Sequence, residues 1–402
     1  MSDNHVATRQ YDFKYNFGEW FMFKYCNITH PLPTAILIST GLVSSAAMAD
    51  SFNCSDFQKF GGNIQQVQAN FKPTPGNPAN PEKMAWNWFV CLNNDVSSQN
   101  KKVRLWETFK PSEQVYLPNG AAPGSYLAGA ISHQIDSVQQ VDGLALEMGG
   151  QVPPERTGQP VRFQLLMNQN TFDYIVNKNV YNLDGQKALL SNLNFPPEAW
   201  ELKTSWIFIG DNKPFLDKLV ADGYYITTAS YTDINSGKKY TGPAALSGMH
   251  VINKLFKDWV WSTFENINNA KYTVTKSTPP TPMHNATGPT ANAATQNTIF
   301  HKANPRLSSY NLVGVQWIND TAPAPALMLL ANSQLESAFQ NQSSCMACHA
   351  TAAYSAKNGH FNFALRINGG ISYPVSFLPD SEFNDYYKLD SVWSLKRAQW
   401  NR

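Results

Sequence analysis

The chain has 402 residues, 43% hydrophobic and 13% aromatic, which is enough apolar side chain for one large core or two ordinary ones. Its 31 basic side chains meet 29 acidic ones for a formal charge of +2, which excludes the basic footprint of a nucleic-acid binder or of an anionic-membrane binder. Charged residues make up only 15%, whereas 23 Gly and 25 Pro predict many turns and much irregular structure.

In chain order, the first informative segment is Pro33 to Ala49, PTAILISTGLVSSAAMA. It is apolar, too short to span a bilayer, and ends in a small-x-small triplet, so it reads as an export signal cleaved before Asp50. The alternative is a buried apolar helix of the mature fold. The mixed-charge residues ahead of it do not suit a signal, but translation from Met22 would supply the short basic start, leaving residues 1–21 as an artefact of start-codon choice. Residues 1–49 are therefore assigned as leader, and its removal also removes Cys26. No span is expected in the mature protein.

An α+β body is expected over residues 50–276. Pro73 to Lys83 is a loop, Met84 to Leu92 a core helix, and Lys102 to Phe109 alternates as a half-buried strand. Val161 to Met167 alternates again, and Asn170 to Tyr181 opens on an Asn or Thr cap and carries apolar residues at helical spacing. Further strands are expected over Glu201 to Ile209 and Tyr224 to Tyr231. A mostly apolar run, Ala245 to Phe256, precedes Trp259-Val-Trp-Ser-Thr-Phe-Glu, whose alternation puts Trp259, Trp261 and Thr263 on one face if extended.

Ser277 to Asn297 has no apolar periodicity, so residues 277–303 read as a polar loop or linker. Residues 304–402 form the last segment, packed on the body, with a helix expected over Ala326 to Phe339 and an aromatic-rich helical tail from Asp380. No internal repeat is present. The fold class is α+β with much irregular structure and a helical C-terminal segment.

Between those two expected helices stands Cys345-Met346-Ala347-Cys348-His349. Two thiols three positions apart followed by an imidazole suit covalent attachment of one c-type haem, with Cys345 and Cys348 as thioether donors and His349 as proximal iron ligand. A redox disulfide belongs near the start of a βαβ unit, and a zinc site needs a second ligand pair that Cys54, Cys91 and the histidine spacings do not supply. Covalent haem attachment and export agree, since attachment in Gram-negative bacteria takes place outside the inner membrane; the predicted address is the periplasm. In that compartment Cys54 and Cys91 either close a disulfide or remain two buried thiols.

The second axial ligand decides the function. Met346 is the last methionine, so a downstream methionine is not available. Among His133, His250, His284, His301, His360, Met84, Met148, Met167, Met249, Met283 and Met328, the pair Met249 and His250 draws most interest, because it lies in an apolar segment near Trp259 and Trp261. Against this stands the ordinary reading of both as core residues.

Ser344-Cys-Met-Ala-Cys-His-Ala-Thr-Ala, with Gly248-Met-His-Val-Ile-Asn-Lys, Trp259-Val-Trp-Ser-Thr-Phe-Glu, Tyr174-Ile-Val and Tyr181-Asn-Leu-Asp-Gly-Gln, resembles a group of poorly characterised bacterial single-haem proteins of the cytochrome c family. The resemblance covers most of the mature chain and implies a periplasmic haem protein without an assigned reaction. Two function classes follow. One is single-electron transfer with a redox partner protein; the other is a haem enzyme or sensor with an open iron position for a small oxidant or gas. A body this large favours a role beyond holding one haem, yet G-x-S-x-G, H-E-x-x-H and phosphate-loop motifs are all missing from the sequence.

Overall fold

Alternating side chains along the middle of the chain build one antiparallel sheet. The computed structural model describes residues 52–127, 133–138, 146–319, 328–362, 365–367 and 370–402; the predicted leader, its cleavage site and Cys26 lie outside them. Among the described residues the largest sheet has seven strands: β1 (Lys110–Pro111), β2 (Arg162–Met167), β3 (Trp200–Phe208), β4 (Ile226–Thr232), β5 (Lys239–Asn253), β6 (Val260–Asn266) and β7 (Tyr310–Gln316). They lie in the order β7-β6-β5-β3-β2-β1, and β4 pairs with the first half of β5. The predicted strands at 161–167, 201–209 and 224–231 correspond to β2, β3 and β4. The segment predicted extended from Lys102 is strand only over Lys101–Arg104, after which Leu105–Thr108 turns as a 3-10 helix.

Register decides what each face carries. Thr204, Met249 and Phe264 lie side by side on one face, and Lys203, His250, Thr263 and Gly314 form the next row on the other. The Met249 face is covered by α1 (Ile64–Phe71), α2 (Asn80–Leu92) and α6 (Ala291–Ala303); α3 (Gln169–Asn177), α4 (Leu183–Lys187) and α5 (Lys213–Ala221) intervene in the chain. Trp86, Trp88, Phe89, Trp200 and Phe264 are almost fully buried there. Phe89 stacks on Phe264 at 4.0 Å and Trp86 on Phe300 at 5.3 Å. Each such side chain contributes about 1.5–3 kcal/mol of apolar burial.

The Cys54–Cys91 alternative resolves as a disulfide, with Cα atoms 5.3 Å apart, that ties the start of the described chain to α2.

The stretch expected as loop or linker is a helix in its second half. Thr290 caps α6 by accepting from Ala293 N, and Ala293, Gln296, Asn297 and Phe300 form its buried stripe. Its core-facing positions include two amides, which conceals the period. Asn297 uses both ends of its amide, its oxygen taking the Trp86 indole N–H and Leu312 N and its nitrogen donating to Leu312 O.

The helix expected over Ala326 to Phe339 does not form across residues 328–339, which run as turns. The side chains there bond to the sheet instead: Asn332 donates to Thr263 Oγ1 and Phe264 O, both at 2.8 Å, and Ser333 donates to Glu265. The tail expected to be helical from Asp380 consists of two 3-10 turns, Asp380–Phe383 and Trp393–Arg397, around a short strand, Tyr387–Lys388. Asp390 and Ser391 break it with φ of 53° and 67°. No helix among the described residues is long and apolar enough to cross a membrane.

Candidate haem site

The motif forms its own short helix, α7 (Cys345–His349), capped by Ser344, whose hydroxyl accepts from Ala347 N. Positions 345, 348 and 349 lie at i, i+3 and i+4, so both sulfurs and the imidazole emerge on one side. Met346 and Ala347 are buried, while Cys345, Cys348 and His349 are half-buried. Gln316 at the end of β7 pins the helix to the sheet: its Oε1 accepts Met346 N at 3.0 Å, and its Nε2 donates to Ser344 Oγ and to the Met328 carbonyl. Met346 packs in an apolar cluster with Ile252, Trp259 and Trp261.

His349 Nδ1 is 2.9 Å from Ser391 O. A carbonyl only accepts, so the proton sits on Nδ1 and the Nε2 lone pair is left free to ligate. Trp261 lies against the same ring, with centroids 4.2 Å apart. Burial lowers the imidazole to about 4, keeping it neutral and competent as a ligand.

Cys345 and Cys348 are unbridged. Burial, then the nearby Glu336 carboxylate, raises both thiols, Cys348 to about 12. That is opposite to the depressed thiol of a redox C-x-x-C pair. Among the described residues no group of three or more His, Cys, Asp or Glu side chains is arranged to hold a metal ion directly. The donor set instead fits a covalently held haem: two unbridged thiols on one helix face and a tautomer-fixed imidazole beside them. Trp393 donates its indole N–H to Cys348 O at 3.1 Å, and Phe339, stacked on Tyr373, packs with Cys348 and Trp393.

The distal candidates are dispersed. Met249 is buried in the core on the opposite face from His349. His250 is on the motif's face, but Nδ1 contacts Thr263 Oγ1 and Nε2 contacts Glu336 Oε1, each at 2.8 Å. His133 bonds Gln164 and Glu107, His301 bonds Tyr310 O, and His360 bonds Gln186 Oε1. His284 is exposed.

Sequence reasoning picked out Trp261 but not Ser391, whose contribution is a backbone carbonyl and has no residue-type signal. It also missed Glu336 and Lys203, which share electrostatic surroundings with both motif cysteines. Set beside known proteins, the chain matches no family model, no curated protein and no solved structure.

Proposed function

We propose that this chain is an exported, periplasmic protein carrying one haem held by thioethers from Cys345 and Cys348 and ligated by His349, and that it transfers single electrons to and from a redox partner. The observation that carries the reading is the His349 Nδ1 to Ser391 O contact of 2.9 Å, which leaves Nε2 as the lone-pair nitrogen of a residue on the same short helix as the two thiols. When bound, the haem supplies one-electron chemistry at its iron. The chain's own part is to orient the ligand through Ser391 O, to keep water from it with Trp261, and to set the local charge through Lys203 and Glu336.

The test is a denaturing gel stained for haem peroxidase activity, using protein matured in a host competent for c-type attachment. The wild-type band should stain, and Cys345→Ser with Cys348→Ser should not; an unstained wild type would overturn the proposal. N-terminal sequencing of the exported protein should begin at Asp50, and any other start would remove the cleavage assignment.

A second reading, an open distal position reactive to gas or peroxide, is supported by one specific observation: both His250 nitrogens are engaged, and Met249 faces the opposite core. Optical spectra with and without carbon monoxide separate the two. A reduced spectrum unmoved by the gas supports electron transfer with a sixth protein ligand, whereas a shifted Soret band supports the open site.

A further inference from the structure

The carbonyl that receives His349 belongs to a strained turn. Asp390 and Ser391 are consecutive non-glycine residues in left-handed backbone, φ 53° and 67°. Such a conformation costs of the order of 1 kcal/mol per residue or more, and persists where surrounding contacts overdetermine it. Those contacts are in place. Asp390 Oδ1 and Oδ2 lie 2.5 and 2.7 Å from Lys254 Nζ, and Oδ2 also accepts Phe195 N at 2.6 Å. Lys254 is itself fixed just beyond β5: Nζ donates to Lys257 O at 2.7 Å, and its backbone N–H donates to Ala199 O at 3.0 Å. Both side chains are nearly buried, at 6% and 12% exposure, so the pair is locked rather than solvated. On either side of the turn, Leu389 N bonds Ala352 O and Val392 N bonds Leu389 O.

We infer that Lys254 and Asp390 are positioning residues for His349: their buried ion pair holds the left-handed Asp390–Ser391 turn so that Ser391 O accepts the Nδ1 proton. This fixes the tautomer, orients the ring and makes Nε2 a stronger donor. The inference rests on the haem reading for its redox consequence, but the tautomer is a property of the chain itself.

The experiment compares wild type with Lys254→Met, Asp390→Asn and Asp217→Asn. Asp217→Asn is the control, because it removes an ion pair of the same kind, the exposed Lys213–Asp217 pair of α5, that does not touch the turn. Two quantities are read: the haem's midpoint potential in the holoprotein, and the His349 tautomer by nitrogen-15 imidazole NMR with the same substitutions in the Cys345→Ser, Cys348→Ser background, where iron does not fix the tautomer by binding Nε2. Lys254→Met and Asp390→Asn should lose the fixed Nδ1–H tautomer. They should also favour the reduced state about tenfold at fixed ambient potential, equivalent to about 59 mV for one electron. Asp217→Asn should match wild type in both. Unchanged tautomer and potential in the folded ion-pair variants would overturn the inference, even if their thermal stability fell. Should either variant fail to fold, Asp390→Glu, which keeps the charge on a longer arm, is read in the same way. A wild type without haem would sink the functional reading alone, since the tautomer comparison then decides the positioning.

Discussion

His250 Nε2 and Glu336 Oε1 stand 2.8 Å apart, joining the central strand of the sheet to the turns that lead into the motif helix. Glu336 Oε2 also accepts Asn332 N at 2.8 Å, so one carboxylate bonds both the sheet and its own turn. Burial pushes this carboxyl upward, but His250, Lys203 and the Asn332 N–H together outweigh that effect and hold it below the usual range. Glu336→Ala should therefore strand a buried imidazole nitrogen and destabilise the protein by about 1–3 kcal/mol in urea unfolding. Glu336→Gln, which keeps an acceptor, should lose less. Equal losses in the two variants would show that the pair does not contribute through this hydrogen bond.

Glu201 on the same sheet face behaves in the opposite sense. It accepts the Ser394 hydroxyl at 2.6 Å, and Ser394 Oγ is 3.0 Å from Tyr116 OH. Burial outweighs that hydrogen bond and raises the carboxyl from 4.5 to about 7. A raised carboxyl means that the folded state binds more protons than the unfolded one between those values, so its contribution to stability falls as pH rises through that window. Glu201→Gln should become progressively more stable relative to wild type from pH 4.5 to 7, by roughly 2–4 kcal/mol in all. A stability difference that stayed flat across the window would remove the assignment.

The sheet was readable because its strands obey period two and its edges carry turn residues: Val161 to Met167 and Glu201 to Ile209 fall on strands almost residue for residue. The helix expected from Asn170 starts one residue earlier, and its cap is Asn168, which accepts Thr171 N, rather than Asn170 or Thr171. The reading failed where polar side chains do the packing. In α6 the buried Gln296 and Asn297 erase the apolar stripe, and in residues 328–339 the buried Asn332, Ser333 and Gln334 serve the sheet's polar face rather than a helix. For the candidate site, the Cys345, Cys348 and His349 grouping was legible from spacing alone. Its support was not, since Ser391 contributes a carbonyl and Lys254 meets Asp390 across 136 residues of sequence.

The Cys54–Cys91 bridge spans 37 positions and anchors α2 under the aromatic core. By the loop-entropy argument it contributes about 3–4 kcal/mol. Cys54→Ser with Cys91→Ser should lower the urea midpoint accordingly and make it insensitive to reductant, while haem staining persists because the motif lies on the other face. Loss of staining in a folded double variant would contradict that separation.

Gly248 marks a place where the turn before the motif presses closely on the sheet. A Cβ there would lie 2.9 Å from Ser205 Oγ and 3.0 Å from Asn332 Oδ1. Ser205 Oγ is 2.8 Å from Ser247 Oγ, and Asn332 is held by Thr263 Oγ1 and Phe264 O, its backbone N–H by Glu336. Gly248→Ala should therefore push the Asn332 turn off the sheet at a cost of about 1–3 kcal/mol. Because part of the clash is with the Asn332 side chain, Asn332→Gly made on top of Gly248→Ala should cost less than the two single losses added together, a coupling of at least about 0.5 kcal/mol. Strict additivity would mean that the glycine is required by the strand itself and not by the turn laid over it.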